Sequence, residues 1–157
     1  MSETSTPGPH YAALLQLLRT SETIWNSSRI FFERWELSPA QFNLLNLLTD
    51  PGEGLTQSDL SRELLTHRSN ITGLVDRLEK RGLVGRRDQA GDRRAWRVVL
   101  TPSGKRLMTE ILPHYYRATE RVWEGVSVRQ AGVVAEVLKG VAANTQDAIA
   151  RLERENP

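Results

Sequence analysis

The chain has 157 residues and contains no cysteine. This absence excludes disulfides, thiolate metal sites and thiol-based redox sensing. The sequence also lacks an apolar run long enough to cross a bilayer, and its first nine residues have neither the basic start nor the apolar stretch of a secretory signal. We therefore expect a protein of the cytoplasm that makes no membrane contact.

Motifs of the common catalytic and cofactor sites are missing as well. The three histidines, His10, His67 and His114, are far apart, and there is no HExxH motif, no P-loop and no glycine-rich dinucleotide fingerprint. Asp88 and Asp92 lie in a basic segment, where carboxylates are expected to form salt bridges rather than act as acid and base. The sequence therefore predicts a protein that is not an enzyme and has neither cofactor nor metal.

The charge of the chain is unevenly distributed. The formal net charge is only +2, but residues 62–106 hold twelve Lys and Arg against five Asp and Glu, which is +7. The rest of the chain therefore carries −5. A basic centre between acidic flanks favours nucleic acid as a partner, although a basic segment can also be a merely solvated surface.

Helical periodicity dominates both ends of the chain. Apolar residues recur along 11–35 in two rows, which predicts a long helix with more than one buried face. Thr101 before Pro102, and Ser127 with Gln130, mark the starts of two further helices. A helix buried on two sides in a small protein indicates a subunit interface. We therefore expect 10–36 and 102–153 to be the dimerisation helices of a homodimer.

The centre of the chain, 38–101, predicts three short helices followed by two strands. Ser38 and Thr56 start two of the helices, and Thr66 is expected to cap the third, which Gly82 ends. Alternating apolar residues then predict an antiparallel hairpin with its turn at 89–92. Two helices joined by a tight turn and followed by a basic hairpin make a winged helix-turn-helix, so this lobe is expected to bind DNA.

The third of these short helices, the fourth of the chain, is the predicted recognition helix. Its apolar stripe is expected to be buried, which leaves polar side chains to enter a major groove and to read base edges or hold phosphates. A plain solvated helix would explain this polarity but not the basic hairpin that follows. The predicted DNA-binding residues of the helix and its flank are Thr66, His67, Arg68, Ser69, Asn70, Thr72, Gly73 and Arg77.

Residues 55–107 resemble the MarR (multiple antibiotic resistance regulator) family. The segment LVDRLEKRGLV at 74–84 is similar to the end of the family's recognition helix, and the pattern DRR…LT..G at 92–104 is similar to its wing. The resemblance implies one MarR-type domain over 1–157, mainly α with a small β-wing. It also implies a homodimeric regulator, in most members a repressor, that binds a pseudo-palindromic operator. A winged helix that only dimerises or binds protein remains the alternative.

The resemblance also implies functions for the wing. Arg94 would enter the minor groove, where the negative potential favours a guanidinium, and Asp92 would orient it, with Asp76 as a second candidate partner. Alternatively, Asp92 only closes the turn. The remaining arginines of the hairpin are expected to hold phosphates: Arg86, Arg87, Arg93 and Arg97.

Many members of the family lose DNA affinity when they bind small aromatic or phenolic acids. The resemblance implies an effector pocket between the dimerisation helices and the DNA-binding lobe, where aromatic side chains could stack on a ring and Arg or His could hold a carboxylate. Alternatively, these aromatic residues are core and the protein responds to no small molecule. The candidate ligand-binding residues are His10, Tyr11, Arg19, Trp25, Arg29, Phe32, Phe42, Asn46, His114 and Arg117.

Overall fold

The computed structural model describes residues 8–50, 52–89 and 92–155, and it leaves the side chains of 89, 92–95 and 153 undescribed. The described residues form six helices and three strands, which confirms a mainly α fold with a small β-wing. In chain order the elements are α1 (Pro9–Glu33), α2 (Pro39–Leu47), β1 (Leu55–Thr56), α3 (Gln57–Glu63), α4 (Arg68–Lys80), β2 (Val84–Gln89), β3 (Asp92–Leu100), α5 (Pro102–Val122) and α6 (Val128–Glu155).

Helix starts follow the local signals that were predicted. The backbone N–H of Ser38 donates to the side chain of Gln41 at 2.8 Å, and the N–H of Gln41 donates to the Ser38 hydroxyl at 3.2 Å. Thr56 and Asp59 form the same reciprocal pair, and the hydrogen bonds from Thr56 hold the pKa of Asp59 below its usual value. A third pair lies at 127–130. These bonds satisfy N–H groups that the first helical turn leaves open.

The predicted cap of the recognition helix is wrong by one residue. The expected cap was Thr66, but His67 precedes α4 and its Nδ1 accepts a hydrogen bond from the N–H of Ser69 at 3.4 Å. Thr66 is engaged with α3 instead, since its N–H donates to the carbonyl of Ser61 at 3.1 Å and its carbonyl accepts from the Ser61 hydroxyl at 2.6 Å. The end of the preceding helix therefore decides where the next one begins.

Four helices are followed by a residue in the left-handed region, which after α5 is Gly125 at φ +81°. Gly82 after α4 has φ +69°, as expected, because glycine adopts this conformation without steric cost. Glu36 after α1 and Leu65 after α3 have φ +54° and +48°. Nothing in the sequence marks these two positions, since L-residues rarely adopt this conformation. After Glu36, Leu65 and Gly82 the turn closes in the same way. The N–H of the next residue donates to the carbonyl five residues earlier, at 3.0 to 3.3 Å.

The sheet has the order β1-β3-β2 and is antiparallel throughout. The sequence predicted only two strands, because β1 consists of two residues and carries no periodic signal. Leu55 of β1 lies opposite Val98, and Val84 of β2 lies opposite Leu100. The predicted turn at 89–92 falls partly outside the described residues, since 90 and 91 are not described.

The chain divides into two compact units, of which the first ends at Thr109 and the second begins at Glu110. The first contains α1 together with the winged helix-turn-helix, and the second consists of the later part of α5 and all of α6. None of the described helices is long and apolar enough to cross a membrane. The predicted division into a lobe and dimerisation helices remains a prediction.

Two helices, α1 and α6, carry most of the large apolar side chains that are exposed in the single chain. On α1, Phe32 alone is fully packed among the described residues, so the two buried rows predicted for 11–35 are not covered within one chain. The exposed residues of α1 are Tyr11, Leu14, Leu18, Ile24, Trp25 and Ile30, and those of α6 include Val133, Val134, Val137, Leu138, Val141, Ile149 and Leu152.

Candidate nucleic-acid interface

The recognition helix separates its apolar and polar residues cleanly. Ile71, Leu74, Val75 and Leu78 are between 0% and 7% exposed and pack into the core of the first unit. The opposite side of α4 and its N-terminal flank are exposed, with Thr66 and Gly73 half-buried. The structure therefore brings the predicted DNA-binding residues onto one surface: Thr66, His67, Arg68, Ser69, Asn70, Thr72, Gly73 and Arg77.

Short hydrogen bonds orient the side chains at the start of α4. His67 Nδ1 lies 2.9 Å from the Ser69 hydroxyl, and the Asn70 side-chain amide donates to the Thr66 hydroxyl at 3.2 Å. Through this bond Asn70 uses one amide hydrogen and keeps its carbonyl oxygen for another donor. An asparagine held in this way at the first helical turn can present both a donor and an acceptor to a base edge.

Gln57 is a residue of this surface that the sequence analysis missed. Its side-chain amide donates to the Thr72 hydroxyl at 3.0 Å, and Thr72 in turn donates to the backbone carbonyl of Arg68 at 3.2 Å. Gln57 is the first residue of α3, fifteen positions away, so no local pattern indicates the contact. It fixes the rotamer of Thr72 and ties the first helix of the motif to the second.

Arg86 lies between the wing and the recognition helix. Its guanidinium donates to the carboxylates of Asp76 and Glu79 on α4, and it lies over the ring of Trp96 with 4.5 Å to the centroid. We expected Arg86 to hold a phosphate and Asp76 to be a partner of Arg94. The observed pairing favours an intramolecular function for Arg86, because a phosphate would have to compete with two carboxylates that already accept hydrogen bonds from its guanidinium.

Arg97 also has a partner inside the protein. Its Nη1 donates to the carbonyl of Gly54 at 2.9 Å, and its Nε is buried with no hydrogen-bond partner among the described residues. This half-buried position favours a structural function over the expected phosphate contact. Gly54 has φ +88°, and a Cβ there would lie 2.4 Å from the carbonyl oxygen of Val98. The segment before β1 is thus held against β3 by both a close backbone approach and the Arg97 bond.

Of the other wing residues predicted to bind DNA, Arg87 is the one whose side chain the structure describes. Arg87 is exposed on β2 and lies opposite Arg97 in the strand register. Asp92, Arg93 and Arg94 begin β3, but their side chains lie outside the described part of the chain. Their predicted contacts with the minor groove and with phosphates therefore stay predictions.

The candidate ligand-binding residues do not form one cluster in the first unit. Phe32 and Phe42 are 2% and 1% exposed and stack with 4.2 Å between ring centroids, so they are core residues rather than a surface for a ligand. His10, Tyr11, Arg19 and Asn46 are exposed on α1 and α2. His114 and Arg117 lie in the second unit, 3.0 Å from each other.

Trp25 and Arg29 each line an open cavity of the first unit. The cavity at Arg29 has about 700 Å³ and lies along the end of α1 and the turn before α2. The cavity at Trp25 has about 550 Å³ and connects α1 with the recognition helix. Its lining includes Asn43, Leu65, Thr66, Ser69, Asn70, Gly73 and Arg77. Five residues predicted to bind DNA, one of them Thr66 of the flank, therefore share a cavity with a predicted ligand-binding residue.

Comparison with known proteins identifies the family. Residues 35–95 match the model of the MarR family. YsmB of Bacillus subtilis strain 168, named as an uncharacterized HTH-type transcriptional regulator, is 33% identical over 110 residues, which are 69% of this chain and 75% of that protein. The Escherichia coli K12 transcriptional repressor MprA is 29% identical over 96 residues, 61% of this chain. The match spans about half of MprA, 54% of its length.

A structural comparison gives the same fold. The crystal structure of a complex of Staphylococcus aureus MepR with DNA superposes with a TM-score of 0.74 at 21% identity, over 85% of this chain and 97% of that one. At this identity the likeness concerns the fold alone. The sequence match to YsmB and the match to the family model show the family: the chain belongs to the MarR family.

Proposed function

We propose that the protein regulates transcription by binding a specific double-stranded DNA site as a homodimer. The observation that carries this proposal is the polar surface of α4, which stands opposite a fully buried stripe and beside a basic wing. A helix of this kind fits the major groove with its N-terminal residues closest to the bases. The relatives named as transcriptional regulators, and the MepR–DNA complex of the same fold, support it.

The residues divide into two kinds of contact. Arg68 and Asn70 in the first turn of α4 are suited to read base edges, since both can form paired hydrogen bonds with a purine. Arg87 on the wing is suited to hold a phosphate, which adds affinity without sequence preference. Arg94, oriented by Asp92, is the candidate for the minor groove.

Dimerisation is supported by the exposed apolar side chains of α1 and α6. A surface of this extent is unusual for a monomer and is typical of a protein interface. In a two-fold dimer the two recognition helices should reach successive major grooves, about 34 Å apart. The name of MprA supports repression, and a regulator that reads chromosomal DNA would act in the cytoplasm.

The proposed function can be tested by selecting DNA from a random duplex library with the purified protein. We expect enrichment of an inverted repeat whose half-sites are one helical turn apart. Fluorescence anisotropy with the selected site should then give a logarithmic affinity that falls linearly with the logarithm of salt concentration. A protein-binding winged helix would enrich no motif and show no such salt dependence, and this result would exclude the proposal.

We propose a small aromatic acid as the effector, bound in the cavity at Trp25. Its ring could stack on the half-exposed indole, and Arg77 could pair with the carboxylate. Arg77 takes the place of Arg19 and Arg29, which do not line this cavity. A ligand there would occupy the side chains that contact DNA, and it would weaken binding by favouring the DNA-free state.

Titration with salicylate is expected to quench tryptophan fluorescence and to release the selected DNA over the same concentration range. Trp25→Leu should abolish both responses, whereas Trp123→Leu, in the second unit, should leave both intact. To lower the DNA affinity a hundredfold, the acid must favour the DNA-free state by about 2.7 kcal/mol. If salicylate and related acids at millimolar concentration change neither signal, the protein binds DNA without this type of control.

A further inference from the structure

A polar contact joins the end of the recognition helix to the turn between α1 and α2. Arg81, the residue that ends α4, donates from Nη1 to the backbone carbonyl of Glu36 at 2.6 Å and from Nη2 to that of Trp35 at 3.1 Å. A guanidinium presents its donors in one plane, which suits two neighbouring carbonyls. Both acceptors lie where α1 has ended, so the helix itself supplies no partner for them.

The turn that Arg81 contacts is firmly held. Glu36 is in the left-handed region at φ +54°, and such a conformation persists in a non-glycine residue when the surroundings over-determine it. Leu37 is 4% exposed, and the guanidinium of Arg34 lies over the ring of Trp35 at 3.6 Å. The contact of Arg81 therefore anchors α4 to a fixed point of the fold.

The backbone carbonyls, rather than the carboxylate of Glu36, are the effective acceptors. The carboxylate is 3.9 Å from Arg81 Nη2, and the side chain of Glu36 is 89% exposed, whereas that of Arg81 is 32% exposed. A solvated ion pair at this distance contributes little. Glu36→Gln, which keeps the backbone carbonyls and removes the charge, is therefore a matched control for any substitution of Arg81.

We propose that Arg81 is a positioning residue that sets the angle of the recognition helix relative to α1. This inference rests on the proposed function, because the angle matters for a dimer that must place two helices on one DNA. The exposed apolar residues of α1 are expected to face the second subunit. A residue that ties α4 to the end of α1 therefore also fixes the position of the recognition helix relative to its symmetry mate.

A small change of angle at Arg81 would move the far end of α4 by a large distance. Arg81 lies at the C-terminal end of α4, whereas the predicted base-reading residues lie at the N-terminal end. The helix has 13 residues, so it is roughly 20 Å long, and a tilt of about 10° at one end moves the other by about 3 Å. Base pairs follow one another every ~3.4 Å along the axis, so such a tilt displaces the reading side chains by about one base pair.

A distance measurement without DNA tests the positioning directly. Because the chain has no cysteine, spin labels can be attached to Ser27→Cys on α1 and Arg68→Cys on α4, in protein diluted with unlabelled chain. We expect one narrow distance distribution, which Arg81→Met should broaden or shift by about 3 Å. Glu36→Gln and Lys80→Met, which removes a neighbouring exposed cation, should leave the distribution unchanged. An unchanged distribution in Arg81→Met would overturn the inference.

Binding to the selected DNA separates this explanation from a phosphate contact. We expect Arg81→Met to lose about tenfold in affinity for the selected DNA, while the slope of affinity against salt concentration stays unchanged. Arg81→Lys should also lose affinity, because an ammonium cannot offer two coplanar donors to both carbonyls. If Arg81 held a phosphate, lysine would retain the affinity and methionine would reduce the slope by about 0.9.

The two proposals fail in different ways. If the unsubstituted protein binds no DNA, the proposed function is wrong, while the label distances still decide whether Arg81 positions α4. If the unsubstituted protein binds DNA and both Arg81 variants bind equally well, the positioning inference alone is wrong. Should Arg81→Met fail to fold, Arg81→Lys gives the same two readouts, because it keeps the charge and removes the paired geometry.

Discussion

Gly104→Ala is expected to lower the free energy of unfolding by about 3 kcal/mol, the upper end of what overpacking costs. Gly104 lies in the first turn of α5, where a Cβ would be 2.0 Å from the carbonyl oxygen of Leu83 and 3.2 Å from Leu100 Cδ2. The carbonyl cannot yield easily, since it accepts a hydrogen bond from the N–H of Thr101 at 3.1 Å. The substitution therefore forces the start of α5 away from β2.

Thermal unfolding at a fixed protein concentration measures this effect. For a chain of this size the loss corresponds to a fall in Tm of roughly 10 °C. Gly132→Ala on α6 is the matched control, because no heavy atom lies within 4 Å of its Cβ and alanine favours the helix. We expect the control to keep or raise the Tm. Equal Tm values for the Gly104 variant and the unsubstituted protein would show that the close approach is absent in solution.

Asn70→Ala is expected to reduce affinity for the selected DNA site by 10- to 100-fold, which is about 1–3 kcal/mol for one paired base contact. Asn70 is exposed in the first turn of α4 and its amide is oriented by the Thr66 hydroxyl. Removing the amide should abolish the preference for one base at one position of each half-site. Affinity for unrelated DNA should stay within twofold, because the phosphate contacts are unchanged.

Arg87→Ala provides the contrasting case. Arg87 is exposed on the wing and is expected to contact a phosphate, so its removal should weaken specific and unrelated DNA alike and reduce the salt slope by about 1. Anisotropy titrations of both variants against both DNA types, at several salt concentrations, give the complete comparison. If Asn70→Ala weakened both DNA types equally, Asn70 would be a phosphate contact and base reading would belong to other residues.

The sequence by itself determined the features that depend on near neighbours in the chain. The capping boxes at Ser38 and Thr56 involve residues three apart, and the buried stripe of α4 repeats with the period of a helix. Gly82 was predicted to end α4 because glycine alone enters the left-handed region freely. The pattern 92–104 contains Gly104, and the structure supplies the reason for that glycine, which is the approach of α5 to the Leu83 carbonyl.

Tertiary structure decided the partners of the arginines. Arg81, Arg86 and Arg97 look alike in the sequence, since each is a cation in the basic segment. The fold places Arg86 against two carboxylates of α4, Arg97 against the Gly54 carbonyl and Arg81 against the turn after α1. These partners are 7 to 46 residues away along the chain and lie on other elements of the fold, so no periodicity or local motif encodes the contacts.

Contacts between distant segments also decided β1, the left-handed residues Glu36 and Leu65, and the cavity at Trp25. A strand of two residues exists only because β3 lies beside it, and a strained backbone angle persists only because its neighbours hold it. Sequence reasoning therefore found the six helices, the two longer strands and the family, all of which depend on local pattern. Which side chains bind within the protein and which remain available for DNA depends on the packing of distant segments, and this only the folded chain specifies.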